Sequence, residues 1–182
     1  MPQDSDAAAL LGDLLAKARR AGADAADAVL VEGVSLSHAQ RLGAIEKLER
    51  SESYDLGLRV LVGKKQAIVS SNDRNLRALD DFVARAVAMA KAVPEDPYCG
   101  LAAPVQIARA WPELDMSDPV EPAPETLIAR AAAAEDAARA VPGVTNSEGA
   151  EASWGRSSVR LMASNGFAGS YSGTGHSVSA SV

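Results

Sequence analysis

Between residues 56 and 62 every second residue is apolar, and this alternation is the feature that most restricts the fold of this chain. Such a pattern gives a β-strand one apolar face. Gly63-Lys64 then predicts a turn, and residues 66–70 return as a second strand, so the segment favours an antiparallel sheet with one buried face. The alternating apolar residues are Leu56, Leu58, Val60 and Val62.

Two earlier segments extend this predicted meander. Residues 29–31 form a short apolar run, and residues 34–42 alternate in the same way as the later strand. Gly43 interrupts the pattern, and residues 44–50 then predict a polar, exposed strand. The face shared within residues 34–42 carries Val34, Leu36, His38, Gln40 and Leu42.

Three segments have apolar residues at helical spacing, and we expect helices over residues 6–21, 74–93 and 125–140. Aromatic residues make up only 4% of the chain, so alanine, valine and leucine must fill most of the core. Together with the strands, this predicts an α/β (α+β) fold with helices packed on a mainly antiparallel sheet. The candidate helix N-caps are Asp4 or Ser5 and Asn72 or Asp73.

A dense group of prolines separates the second and third helices. Seven of the 9 prolines lie within residues 94–124, which predicts a connector that packs along a surface. We therefore expect an N-terminal α/β domain over 1–93, the connector over 94–124, and a helix followed by the start of a second, truncated β-rich region over 125–182. The strand pattern continues to Val182, so we expect this chain to be the N-terminal part of a longer protein.

Charge and cysteine content exclude several classes of function. The net charge of −6 and the pI of about 4.9 disfavour direct binding to nucleic acid, which needs a basic surface. The single cysteine, Cys99, excludes an internal disulfide and a cysteine zinc cluster. The acidic N-terminus and the lack of a long apolar run predict no signal peptide and no membrane span, so we expect a cytoplasmic protein.

No complete catalytic, cofactor-binding or metal-binding site is predicted. His38 and His176 are far apart, neither is followed by glutamate, and each is expected to be a hydrogen-bonded sheet residue. Cys99 has no activating neighbour. Residues 57–65 resemble a phosphate-binding loop, but the spacing is one residue too long and Lys65 replaces the serine or threonine.

The remaining candidates also favour structural roles. The glycine-rich stretch 166–175 fails the dinucleotide-binding spacing, and no nucleophile-elbow motif is present among the serines. Asp80 and Asp81 are adjacent on a helix and face different ways. Arg59 lies within an apolar strand, where we expect a surface ion pair with Asp55, Glu49 or Glu52. The serines considered are Ser70, Ser71, Ser157, Ser158 and Ser177.

Three blocks in this order resemble the TldD/PmbA family. They are Arg-Leu-Gly-Ala-Ile-Glu-Lys-Leu-Glu at residues 41–49, Leu-Gly-Leu-Arg-Val-Leu-Val-Gly-Lys-Lys-Gln-Ala at 56–67, and Ser-Asn-Gly-Phe at 164–167 with Thr174 downstream. The resemblance covers nearly all of the chain. The Ser-Ser-Asn-Asp continuation at 70–73 and the Asp-Pro-x-x-Gly-Leu segment at 96–101 are similar to the PmbA branch, also called TldE.

The resemblance implies a cytoplasmic two-subunit peptidase that degrades peptides and unfolded proteins. It places zinc in a TldD-like partner subunit, within a His-Glu-x-x-x-His segment that this sequence does not contain. The expected role is thus a non-catalytic subunit, with no catalytic, cofactor or metal residue of its own. Two alternatives stay open: the intact protein is itself the metal-bearing peptidase, or it is a binding protein that modulates DNA gyrase.

Overall fold

The computed structural model describes residues 2–73 and 79–182, and for residues 2–5 it describes the backbone only. Along the chain one helix is followed by three strands, two helices and two further strands. They are α1 (Pro2–Arg20), β1 (Ala25–Arg41), β2 (Ala44–Val62), β3 (Lys65–Ser71), α2 (Leu79–Ala92), α3 (Pro124–Arg139), β4 (Gly149–Ala163) and β5 (Ala168–Ser181).

The strands form one five-stranded sheet in the order β3-β2-β1-β4-β5. β1 and β2 are joined by a two-residue turn, and β2 pairs antiparallel with β3. β4 returns to the other side of β1, where the Ser164 amide donates to the Ala26 carbonyl at 2.8 Å. The strands after residue 144 therefore extend the first sheet rather than beginning a separate one, and β1 is the central strand.

The chain divides into two compact units, each assembled from distant segments. Unit 1 comprises Met1–Glu32, Tyr54–Leu114 and Ser158–Tyr171, and unit 2 comprises Gly33–Ser53, Asp115–Ser157 and Ser172–Val182. All strands except β3 contribute residues to both units.

The core of unit 1 is made by α1 and α2 packing against the sheet. The predicted alternation of β2 is confirmed, because Leu56, Leu58 and Val60 are at most 1% exposed. Small alanines allow the helices to approach the strands closely. The core residues of the two helices are Ala7, Leu11, Leu14, Ala18, Phe82, Val83, Ala86, Val87 and Ala90.

The core of unit 2 is smaller and is centred on an aromatic residue. Trp154 of β4 is 1% exposed and packs with Leu127 and Ala131 of α3 and with Leu36 of β1. Ala150 and Ala152 complete the cluster. Helix α3 and Trp154 therefore cover the face of β1 that the alternation of residues 34–40 predicts to be buried.

Several element boundaries differ from those expected. Helix α1 begins at Pro2, so Asp4 and Ser5 lie inside the helix and are not its caps. The segments at 29–31 and 34–42 are parts of one strand, β1. Leu42 does not continue the face of β1, because it adopts a left-handed conformation (φ 51°) in the turn. Helix α2 is described from Leu79 onwards; its predicted first residues, 74–78, lie outside the described part of the chain.

The proline-rich connector forms hydrogen bonds with β5 and with the turn that precedes it. In unit 1 the Asn165 side-chain amide donates to the Ala102 carbonyl at 2.9 Å. In unit 2 the Thr174 amide donates to the Met116 carbonyl at 2.9 Å. None of the described helices is both long enough and apolar enough to cross a lipid bilayer.

The core of unit 1 predicts a clear contrast between two strand positions. Leu58→Ala should lower the free energy of unfolding by about 2–5 kcal/mol, because it removes buried methyl groups from a site that is 0% exposed. The matched control is Ile68→Ala on the neighbouring strand β3, where the side chain is 66% exposed; it should change stability by less than about 0.5 kcal/mol. Urea unfolding followed by circular dichroism measures both, and equal effects would contradict the assigned core.

Candidate functional site

A buried carboxylate in unit 2 holds three segments of the chain together. Glu135 of α3 is 1% exposed. Its Oε1 accepts hydrogen bonds from the Leu42 amide and the Ser147 hydroxyl, both at 2.6 Å. Its Oε2 accepts from the Gln40 side-chain amide at 3.0 Å and from the Gly43 amide at 3.2 Å. We call Glu135 and these four donors the Glu135 cluster.

These donors keep the carboxylate charged. The hydrogen bond from Ser147, followed by those from Gln40 and the Leu42 amide, lowers the pKa of Glu135 to about 2. A general base must have a pKa near the working pH and a free lone pair directed at the substrate. The pKa of Glu135 is too low for this role, and Glu135 has no free lone pair because each of its oxygens already accepts two hydrogen bonds. Its role is to hold the backbone in place.

The Glu135 cluster fixes the turn between β1 and β2. Leu42 and Gly43 both have positive φ, 51° and 75°, and a left-handed leucine costs about 1–2 kcal/mol. The hydrogen bonds from these two amides to one carboxylate offset that strain. Arg41 adds a hydrogen bond from its Nε to the Ser147 carbonyl at 2.8 Å.

His38 extends the cluster inward. It is fully buried, and its Nε2 lies 3.2 Å from the Gln40 side-chain oxygen. Since the Gln40 amide nitrogen donates to Glu135, the Gln40 oxygen must accept, which places the proton of His38 on Nε2. The prediction that His38 is a hydrogen-bonded sheet residue is confirmed.

The second histidine has a separate environment. His176 of β5 is exposed, and its Nδ1 accepts a hydrogen bond from the Arg130 guanidinium at 2.9 Å. It is therefore also a hydrogen-bonded sheet residue, as predicted. Cys99 is buried. Among the described residues, no group of three or more His, Cys, Asp or Glu side chains is placed to hold a metal ion, so this set of residues does not fit a zinc site.

A shallow depression of about 470 Å³ lies on the sheet within unit 2. Small side chains and hydroxyl groups from four strands form most of its surface, and Arg156 supplies its one positive charge. The guanidinium of Arg156 lies 5.8 Å from the centre of the Trp154 ring, which orients it. The small and hydroxyl residues lining the depression are Gly33, Ser35, Ser51, Ser53, Gly155, Ser157, Gly173, Thr174 and Gly175.

Arg59 forms an ion pair, but not with a residue that the sequence suggested. Its guanidinium donates to the Asp27 carboxylate of β1, with Nε at 2.9 Å. The predicted partner Asp55 lies on the same strand, four residues away, which is about 13 Å along an extended chain. The expectation of a sheet-surface ion pair is confirmed, and its proposed partners Asp55, Glu49 and Glu52 are wrong.

The other sequence candidates occupy structural positions. Gly63 and Lys64 form the turn between β2 and β3, where Gly63 has a φ of 59° and donates its amide to Asp24 at 2.7 Å. The phosphate-loop interpretation is thus excluded, because strand β3 follows this turn where a phosphate-binding loop is followed by a helix. Asp80 pairs with Lys17 at 2.6 Å, and of the serines considered only Ser157 lines the depression.

Two protein-family models match most of the chain. Residues 26–90 match domain 1 of the PmbA/TldA metallopeptidases, and residues 117–182 match their central domain. The two matches follow one another in the order expected for this family. The chain belongs to the TldD/PmbA family. The resemblance found in residues 41–49, 56–67 and 164–167 is therefore confirmed.

A curated relative and several solved structures agree with this assignment. Metalloprotease PmbA of Escherichia coli O157:H7 is 30% identical over 161 residues, which are 87% of this chain and 36% of that protein. This chain thus spans little more than a third of the curated relative.

Three solved structures share the fold. A protein of Bacteroides thetaiotaomicron described as a candidate modulator of DNA gyrase has a TM-score of 0.80 at 22% identity, over 94% of this chain and 39% of that one. TldE of Thermococcus kodakarensis has 0.72 at 12%, over 90% and 36%. A second candidate gyrase modulator, from Thermotoga maritima, has 0.76 at 12%, over 93% and 38%.

The sequence contained one signal that Glu135 is buried, but the charge of this residue suggested an exposed position instead. Glu135 follows Leu127 and Ala131 at intervals of four, so it lies on the buried stripe of α3. A charged residue on such a stripe indicates a buried partner. Its partners at residues 40–43 and 147 could be identified only once β1 and β4 were placed.

The low pKa of Glu135 predicts a specific loss of acid stability. Since the pKa is depressed in the folded state, the stabilisation is present above the unfolded value near 4.5 and is lost as the pH falls toward 2. Glu135→Gln should lower the urea midpoint at pH 7 and reduce the difference between pH 7 and pH 3. Asp136→Asn, at the exposed neighbouring position, is the control and should behave as the unchanged protein. A pH dependence that Glu135→Gln leaves unaltered would contradict the role of the cluster.

Proposed function

We propose that this chain contributes first-domain and central-domain sequence to a PmbA-type, non-catalytic subunit of a TldD/PmbA peptidase. The observation that carries the proposal is the 30% identity to Metalloprotease PmbA over 161 residues, spanning both domain types. In this proposal the partner is a TldD-like subunit that holds the zinc, the substrates are peptides and unfolded proteins, and the assembly is cytoplasmic.

The described residues support a binding role rather than a chemical one. The buried carboxylate Glu135 is saturated with donors, and the two histidines are each engaged elsewhere. The depression of unit 2 offers hydroxyl groups and Arg156 on a surface of small residues, which suits an extended backbone better than a large side chain. We infer that this surface forms part of the wall of the chamber in which the peptidase holds its substrates, and that this wall limits entry to unfolded chains.

A second candidate function follows from two of the solved structures, whose proteins are described as candidate modulators of DNA gyrase. The net charge of −6 disfavours direct contact with the DNA substrate of that enzyme. Modulation would then act through contact with the gyrase protein or through proteolysis. A pull-down with purified gyrase, with and without DNA, separates direct binding from an indirect effect.

Reconstitution tests the subunit assignment. The intact protein that contains this chain should not cleave an unstructured peptide alone, and should support cleavage when mixed with the TldD-like protein of the same cell. Mutation of the metal-binding histidines of that partner should abolish cleavage, because the partner supplies the metal-activated water. Cleavage by the intact protein without its partner would instead assign the peptidase activity to this protein.

Metal content provides an independent test. This chain, purified without a histidine tag, should contain substoichiometric zinc by elemental analysis, because its described residues offer no set of three ligands. The His38→Ala/His176→Ala double variant is the control and should have the same zinc content. One tightly held zinc per chain, lost in the double variant, would contradict the assignment of the metal to the partner.

A further inference from the structure

One edge of the sheet in unit 2 is open. β3 pairs with β2 only as far as Leu56, which is opposite Ser71. Residues 44–53 of β2 are all exposed, and in the part of the chain that the structure describes no strand pairs with them on the side away from β1. An edge of this kind presents backbone N–H and C=O groups that can accept a further strand.

The charges along this edge are complementary to themselves in the antiparallel direction. Residues 46–50 read Glu, Lys, Leu, Glu, Arg. If two copies pair with Leu48 opposite Leu48, Lys47 faces Glu49 of the other copy and Glu46 faces Arg50. The two-fold symmetry repeats both pairs, so four opposite-charge pairs flank one apolar pair. The two members of each pair point to the same face of the sheet: residues 46, 48 and 50 lie on one face, and residues 47 and 49 lie on the other.

The edge is also held in place before any partner arrives. The Glu135 cluster fixes the turn at Leu42 and Gly43 that begins this strand. Arg50 donates to Glu121 at 2.9 Å and to Glu52 at 2.6 Å, which orders its side chain. A rigid strand loses little conformational freedom when it pairs, and less of the interaction energy is spent on ordering it.

We propose that residues 44–52 of β2 form an antiparallel interface with the same strand of a second copy, with Leu48 on the two-fold axis. Charged side chains also serve to protect edge strands from association. Within one copy Lys47 lies 2.7 Å from Glu49 of the same strand. In the self-pairing register each of these charges also faces an opposite charge of the second copy, whereas protection needs only repulsion. The exposed Leu48, 50% accessible, and Ile45, 61% accessible, add apolar surface on both faces of the strand.

Charge reversal tests the register. Lys47→Glu and Glu49→Lys each convert two attractive pairs into repulsive ones and should weaken the dimer about tenfold or more. The double variant Lys47→Glu/Glu49→Lys restores both pairs and should return to within about threefold of the unchanged protein. Lys64→Glu, an equal charge change at the exposed β2–β3 turn, is the control and should leave the dissociation constant unchanged. Sedimentation velocity over a concentration series measures all four.

Disulfide formation tests the axis by a second route. In a Cys99→Ser background, Leu48→Cys should form an intermolecular disulfide on mild oxidation, because directly opposite residues of antiparallel strands are within disulfide distance. Ile45→Cys, which would face Ser51 of the other copy, should not. The proposal is overturned if the protein is monomeric at every concentration, if the double variant associates as weakly as the single ones, or if the edge pairs only with the TldD-like subunit.

Discussion

The ionised carboxylate of Glu135 is the interaction on which the arrangement of unit 2 depends. A charge removed from water is costly unless donors replace the lost hydration, and here the four donors come from a strand, a turn and the segment that precedes β4. Removal of any one donor would leave part of the charge unsatisfied. The cluster therefore couples the position of α3 to that of the β1–β2 turn through directional hydrogen bonds, in addition to the apolar packing of α3 on β1.

Close backbone approach supports the same region. Gly149 at the start of β4 has a φ of 117°, and a Cβ atom added there would lie 2.8 Å from the Gln40 carbonyl oxygen. Both the backbone conformation and the space exclude larger residues. This approach brings Ser147 and its hydroxyl within reach of Glu135. A glycine without a side chain is thus part of the reason that a buried charge can exist in this fold.

Local pattern was sufficient to predict the three helices and most of the strands, though not all of their boundaries, and it failed where the partner is distant in sequence. The alternation at residues 56–60 and the spacing of α3 are properties of neighbouring residues, so they could be identified directly. Arg59 was given partners nearby in sequence, whereas strand pairing brought Asp27 across from it. The compact units likewise combine segments more than a hundred residues apart, which no local pattern of residues could indicate.

The position of β1 between β2 and β4 has a consequence for synthesis on the ribosome. β1 and β2 can pair as soon as both emerge, but β4 begins more than a hundred residues after β1 ends. At ordinary translation rates this interval lasts about 5–20 s. During that time the central strand of the finished sheet is an edge strand, with alanine and valine side chains that form no contact with β4. The nascent chain must therefore remain free of aggregation until β4 emerges. The unpaired edge of β1 is the segment that molecular chaperones would need to protect during this time.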